Sequence, residues 1–264
     1  MTGPYFDNNG RPISKNSVVV VADILGYESE IKRISREEHN RQPFLEFLWD
    51  AIQESFPYDE RSAGDLCAAK MMTDNLLAAY PVRSNSSGLD ELKIACFHIG
   101  HFQRKLIQRS LPVRGGVSIG KIHVSDLLVF PTEMVLKEME QADAPGSPPR
   151  IVLMDSAMDF LIESRQSMVK EGNDELEDLL RKDEDSSQFV NYLRPLAKAL
   201  HKEREDEIIA HKQRVEGGLE RFSDCQPICS KYKWMAHYHN EFCRSVPEFN
   251  RDEYFVPEML FSRL

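Results

Sequence analysis

The apolar positions of this chain fall into three patterns, and each predicts a different kind of element. The first is a continuous run, Val18-Val19-Val20-Val21, four β-branched residues in a row. Such a run predicts a strand covered on both faces. It stops at Asp23, and Gly26 and a charged, helix-like stretch follow. A second pair of apolar runs, Leu66–Met72 and Leu76–Tyr80, flanks Thr73-Asp74-Asn75, which predicts a β-hairpin with Asp74 near its tip. The second pattern is three- and four-residue spacing. Phe44, Leu45, Leu48, Trp49 and Ile52 predict a helix entered at Pro43, and Leu89, Leu92, Cys96, Ile99, Phe102 and Leu106 predict another. The third is a strand interrupted by glycine, Leu111 to Val124, with Gly115, Gly116 and Gly120 inside it. Glycine weakens a strand unless a ligand or another backbone comes close.

Beyond that strand, Pro131 to Gln141 reads as a helix, Ala144 to Pro149 as a turn, and Arg150 to Met154 as a last short strand. From Asp155 the spacing is helical to the end. Leu193, Leu196, Leu200, Ile208, Val215 and Leu219 predict one long amphipathic helix from Asn191 to Phe222, with a further helix around Lys231 to His239. Together these elements predict an α/β (α+β) sandwich of ferredoxin-like character over residues 1–155, followed by a helical extension over 156–264 packed on or beside it.

Composition narrows the classes. At 41% hydrophobic and 29% charged the chain can bury a sizeable core, and a formal net charge of −10 argues against a binder of duplex nucleic acid. No apolar run is long enough to span a bilayer and the first residues resemble no signal peptide, so a cytoplasmic protein without a membrane partner is expected. Five scattered cysteines fit reduced thiols. Cys225, Cys229, His237 and His239 could form a zinc site, but their spacing is loose.

The candidate chemistry lies at two acids. Asp23 ends a strand and the amides of Leu25, Gly26 and Tyr27 open the next helix, where phosphate is attracted. The bland alternatives are a helix N-cap for Asp23 and an ordinary turn acid for Asp74. Were both to converge, two carboxylates could share two divalent cations about 4 Å apart, as phosphoryl transfer requires. Asp23 and Asp74 are therefore the expected catalytic and metal-holding residues, with the Ile24 carbonyl completing a metal shell.

Val21-Ala22-Asp23-Ile24-Leu25-Gly26-Tyr27, Thr73-Asp74-Asn75 and Arg114-Gly115-Gly116-Val117-Ser118-Ile119-Gly120 together resemble, in order and spacing, the motifs of class III nucleotidyl cyclases. The chain is most similar to the pyrimidine cyclases of the bacterial Pycsar antiphage system. That likeness rests on the double glycine after Arg114, the Thr-Asp-Asn hairpin, Pro149-Arg150-Ile151-Val152, Gln188 to Leu193, Lys231 to Trp234, and His239-Asn240. The resemblance implies a class III cyclase core that converts UTP, or alternatively CTP, to a 3',5'-cyclic monophosphate and pyrophosphate. It also implies two Mg2+ or Mn2+ ions, a homodimer with active sites at its interface, and a separate effector that senses the product. Leu25, Gly26, Tyr27, Lys70 and Arg114 are the implied nucleotide contacts, Lys70 standing where purine cyclases keep a base-reading lysine.

One departure stands out. Purine cyclases carry an Asn and an Arg on the helix after the glycine strand, and Phe130 to Glu140 offers neither. This fits a pyrimidine cyclase and leaves the charge-stabilising residue among Lys137, Arg114 and Lys121. It equally fits a cyclase-like module that binds nucleotide without turnover. A structural scaffold with neither metal nor nucleotide affinity is the third possibility.

Overall fold

A computed structural model describes residues 3–262 apart from 37, 57–66, 85, 143, 145, 172–173 and 199–200. The strand that opens the chain is β1 (Lys15–Ile24). Val18 and Val20 are fully buried on one face and Val19 on the other, the two-sided burial its β-branched run predicts. After β1 come α1 (Tyr27–Ile34), α2 (Arg41–Ser55), the hairpin β2 (Ala68–Met72) and β3 (Asn75–Pro81), α3 (Leu89–Ile107) and β4 (Val113–Val124). These strands lie in the order β2-β3-β1-β4, antiparallel throughout, which is the β-α-β-β-α-β ferredoxin-like arrangement. The fold is mixed α/β, as expected.

The main core fills the space between the sheet and helices α1, α2 and α3, where Ile34, Leu48, Leu92, Ile99 and Phe102 meet Val18, Val20 and Leu76. The other face is covered only in part. Short β5 (Val129–Pro131) pairs with the end of β4, and α4 (Glu133–Ala142) sets Val135 against Val19, Ala79 and Ile122. The glycines of β4 owe their presence to this packing. A Cβ at Gly116 would meet Met154 and Ala142, and one at Gly120 would meet Val135 at 2.5 Å. Gly115, with φ near +158°, brings the Val21 carbonyl to 1.9 Å from where its Cβ would be. The close approach that the sequence implies is thus made by the chain itself.

Two expectations for the second half are corrected. β6 (Ile151–Leu153), parallel to β4, is not the last strand. After α5 (Asp155–Glu171) and α6 (Asp174–Asp178), β7 (Leu180–Lys182) and β8 (Gln188–Val190) extend the same sheet, β8 pairing with β6 through Phe189 and Val152. The long helix is also shorter than its apolar spacing suggests. Arg194–Ala197 forms a 3-10 turn around Pro195, which cannot sit inside a helix, and α7 begins only at His201 and ends at Arg221. It packs against α8 (Gln226–Ser245).

The stretches quoted above from the second half meet at one joint. Arg150, heading β6, donates to Asp183 and Asp185 in the β7–β8 turn, and the Trp234 indole of α8 donates to Asp183 at 2.9 Å. Tyr238 receives the Leu193 amide and donates to Asn191. Further along α8, the Asn240 amide group bonds both the N–H and the carbonyl of Val256. Its neighbour His239 belongs to a buried polar chain whose tautomers are dictated by its ends. His239 Nε2 must donate to the Tyr254 carbonyl, so His211 Nδ1 donates to His239 Nδ1 at 3.0 Å, and the Tyr192 hydroxyl donates to His211 Nε2. His239 is therefore no zinc ligand here. Cys229 is buried among Val215 and Tyr232, His237 packs on Phe261, and no group of three or more metal-binding side chains gathers among the described residues.

Candidate active site

Asp23 is the penultimate residue of β1, directly across from Asn75 on β3 and Arg114 on β4. Strand partners in an antiparallel pair share a face. Arg114 Nε accordingly donates to Asp23 Oδ2 at 3.0 Å, while its Nη1 reaches the Ala144 carbonyl. The pair is largely buried, each side chain keeping 12% of its exposure.

The hairpin brings the second acid to this place. Thr73 and Asp74 form a two-residue turn, and the Ile24 amide donates to the Asp74 carbonyl at 2.9 Å, tying the tip to the end of β1. The turn is held at a cost, since the β-branched Thr73 adopts φ 57°, a region that such residues avoid. In exchange its hydroxyl donates to Asp74 Oδ1 at 2.8 Å, and Asn75 adds a second donor at 3.3 Å. Asp74 also faces the head of α1. Burial pushes the Tyr27 hydroxyl up, and the nearby Asp74 carboxylate adds to that shift.

Between these acids and α1, the Leu25 amide is occupied, donating to the Pro112 carbonyl at 2.8 Å. The expected trio of phosphate-facing amides is thereby reduced. Gly26 sits at φ 82° as the N-cap and Tyr27 begins the helix, so the head of α1 presents the orphan donors of any helix start from Gly26 onward. Lys70 lies on β2 across from Leu77, which in turn lies across from Val21, and so shares the face that carries Asp23. Its ammonium donates to the Ser125 carbonyl and stands 3.7 Å from Asp126, at the β4–β5 turn. Of the expected site residues, Asp23, Ile24, Leu25, Gly26 and Tyr27 are consecutive at the end of β1, the Asp74 backbone is tied to Ile24 and Arg114 bonds Asp23, while the Lys70 head group is directed elsewhere.

The Asp23 and Asp74 carboxylates and the Ile24 carbonyl are hard oxygen donors, a type that suits Mg2+ or Mn2+ better than zinc. Such ions keep several waters and take substrate phosphates as further ligands, so two protein carboxylates suffice.

One neighbour escaped sequence reasoning. Lys231 of α8 stands within electrostatic reach of both members of the Asp23–Arg114 pair. Burial lowers its pKa, Arg114 lowers it further, and Asp23 opposes them. Nothing in the spacing of α8 could place it there, because its position depends on how α8 docks.

No family model and no curated protein matches the chain in sequence. Among solved structures it is similar to the guanylyl cyclase Cya2, at 15% identity over 61% of this chain and 80% of that one, with a TM-score of 0.38. It is also similar to a class III adenylyl cyclase-like ATP-binding protein from Pseudomonas aeruginosa, at 14% identity over 56% and 35% of the two chains, with a TM-score of 0.40. A third is the adenylyl cyclase CyaB from P. aeruginosa, at 14% identity over 57% and 82%, with a TM-score of 0.39.

Proposed function

We propose that this chain is a nucleotidyl cyclase of the class III type that converts UTP to 3',5'-cyclic UMP and pyrophosphate, serving as a signal in bacterial antiphage defence. The observation that carries the reading is the tie between the Ile24 amide and the Asp74 carbonyl, which holds the hairpin acid at the end of the strand that bears Asp23. Separate turn and cap acids would not need that tie. The three motifs supply the reaction type, and the missing Asn and Arg between Phe130 and Glu140 favour a pyrimidine substrate over a purine.

In this reading Asp23, Asp74 and the Ile24 carbonyl would hold two divalent cations, Mn2+ or Mg2+, whose chemistry when bound would be to lower the pKa of the ribose 3'-hydroxyl and neutralise the triphosphate. Asp23 and Asp74 keep the 3'-oxygen in line with the α-phosphorus. A bond forms between these two atoms, the bond from the α-phosphorus to the bridging oxygen breaks, and the hydroxyl proton passes to water as pyrophosphate leaves. The amides of Gly26 and Tyr27 receive phosphate oxygens beside Leu25, and Arg114 orients Asp23 and offsets charge at the α-phosphate. The half-buried face around Val21, Leu77 and Lys70 takes the base. Exposed Leu127, Leu128, Phe130 and Met134 in and beside β5 support a homodimer interface near that end of the sheet. No described helix is long and apolar enough to cross a membrane.

The test is incubation with each of the four ribonucleoside triphosphates and Mn2+, with cyclic products read by mass spectrometry. Cyclic UMP is expected as the main product and cyclic CMP as the next. One observation favours a second reading. Arg114 already occupies Asp23 Oδ2, as it would in a nucleotide-binding module without turnover. Metal-dependent thermal stabilisation by UTP with no cyclic product from any triphosphate would establish that module and remove the cyclase.

A further inference from the structure

The cleft that begins beside Leu25 and Gly26 continues outward between α1 and the α7–α8 pair, enclosing about 630 Å3. Its walls come from both halves of the chain. Lys32, Arg33, Arg36 and Arg109 line it from the sheet side, and Arg214, Arg221 and Lys231 from the helical extension. Against these seven cations stands one carboxylate, Glu30. In a protein of net charge −10, this is a concentrated reversal of sign.

Two of the cations are committed, Lys32 to Glu28 at 2.5 Å and Arg33 to Glu30 at 2.6 Å. Arg36, Arg109, Arg214, Arg221 and Lys231 make no ion pair with any described residue. The Glu30 carboxyl is held below the usual carboxylate range by its hydrogen bond to Arg33, and Arg221 and Arg109 add to the shift. A site that keeps like charges this close needs an anion to neutralise them. Five cations in a cleft of this size match a compact polyanion, and arginine forks suit phosphate oxygens. The wall is also fixed in place. Gly218 of α7 accepts the ring of Tyr232, whose Cδ1 would stand 2.2 Å from an added Cβ, and the Tyr232 hydroxyl donates to the Ser110 carbonyl at 3.5 Å.

We propose that this cleft is the polyphosphate seat of the active site, with Lys231 of α8 as the cation nearest the metal acids and Arg221 and Arg214 farther out. The helical extension would then be part of the substrate site, supplying in cis arginines where the helix after the glycine strand has none. The inference deepens the cyclase reading and rests on it for the identity of the anion, a nucleoside triphosphate tail and the pyrophosphate it becomes.

The test uses the full chain and inorganic tripolyphosphate in isothermal titration calorimetry, alongside turnover of UTP. Wild type is expected to bind tripolyphosphate with a strong salt dependence. Lys231→Ala is expected to weaken binding about tenfold or more, with Lys231→Arg restoring most of it and Arg221→Ala giving an intermediate loss. In turnover, the KM for UTP should rise by a similar factor in Lys231→Ala, while affinity for UMP stays level. The arginine variant keeps the test sound if the alanine variant folds poorly. Tripolyphosphate binding that depends on Lys231 in a protein yielding no cyclic product removes the cyclase reading and leaves this seat standing. Cyclic product with unchanged KM and tripolyphosphate affinity in Lys231→Ala and Arg221→Ala overturns the seat and leaves the cyclase.

Discussion

Arg114, second in β4, and Arg150, just ahead of β6, each stand one residue before paired positions, Gly115 and Ile151, and each holds aspartate, yet their surroundings differ in kind. Arg150 is held by two acids. Asp183 and Asp185 both accept from it, the Phe189 ring lies 6.0 Å from its guanidinium, and Trp234 closes the outer side of Asp183. The arginine holds the Asp185 carboxyl well below the ordinary range. Arg114 meets Asp23, and a second cation, Lys231, which lines a basic cleft, stands within electrostatic reach of both. The first arrangement sets two carboxylates around one guanidinium and leaves no positive charge in excess. The second lies beside a cleft whose lining carries seven basic residues and one carboxylate, a setting suited to phosphate.

That contrast can be broken from either side. Asp23→Asn should remove the metal donor and lower cyclic nucleotide formation about 10^3-fold or more, because a bound cation contributes several kcal/mol to stabilising such a transition state. Asp74→Ala should match it, with circular dichroism unchanged in both. Arg150→Ala is expected to do the reverse. It leaves Asp183 charged and deprived of its main partner, costing roughly 3–5 kcal/mol of unfolding free energy in urea titration, while residual turnover per folded molecule persists. Should Arg150→Ala silence the enzyme without destabilising it, the distinction between the two pairs fails.

A third expectation concerns pH. His239 is buried neutral with its pKa lowered to about 4 by desolvation, and burial also takes His211 well below its ordinary value. The unfolded chain titrates near 6.5, so it binds more protons than the native state between pH 6.5 and about 4. Stability is therefore complete above pH 6.5 and is lost as the pH falls through that window, by on the order of 3 kcal/mol for His239. Urea midpoints across the range should trace this, and His239→Gln should flatten the profile. Asp23 and Arg114 have no part in that chain, so the shape should survive Asp23→Asn.

The smallest effect is expected at the hairpin. Thr73→Gly relieves the left-handed β-branched residue, with a gain of about 1 kcal/mol, but deletes the hydroxyl that orients Asp74. A more stable and slower protein is the expected outcome. An increase in both stability and rate would show that the turn has no role in aiming the acid.

The parts of this molecule that could be foreseen are those whose cause is local. The valine run, the turn around Asp74 and the spacing of α3 each carry their reason within a few residues. β7 and β8 could not be foreseen, since Leu180-Arg181-Lys182 is three residues long and mostly charged, and exists as a strand only because β8 offers it partners. The glycines of β4 were legible as a demand for space, but what fills the space, Met154 and Val135, comes from elements far along the chain. Arg114 stands out in the sequence through its motif. Lys231, 117 residues beyond it, could not, because its place in the cleft is set by docking of α8 alone.

Asn240 gives that docking a mechanical meaning. It grips both polar groups of Val256 at one point of α8, and Lys231 lies nine residues back along the same rigid rod, about 13 Å away at the usual helical rise. Depth and tilt of the ammonium in the cleft are thereby mounted from behind. Anything that loosens the clasp at Val256, a cavity under Phe261 or a ligand prising off the segment around Tyr254, would retract the charge as a lever withdraws its tip, without touching the acids at all.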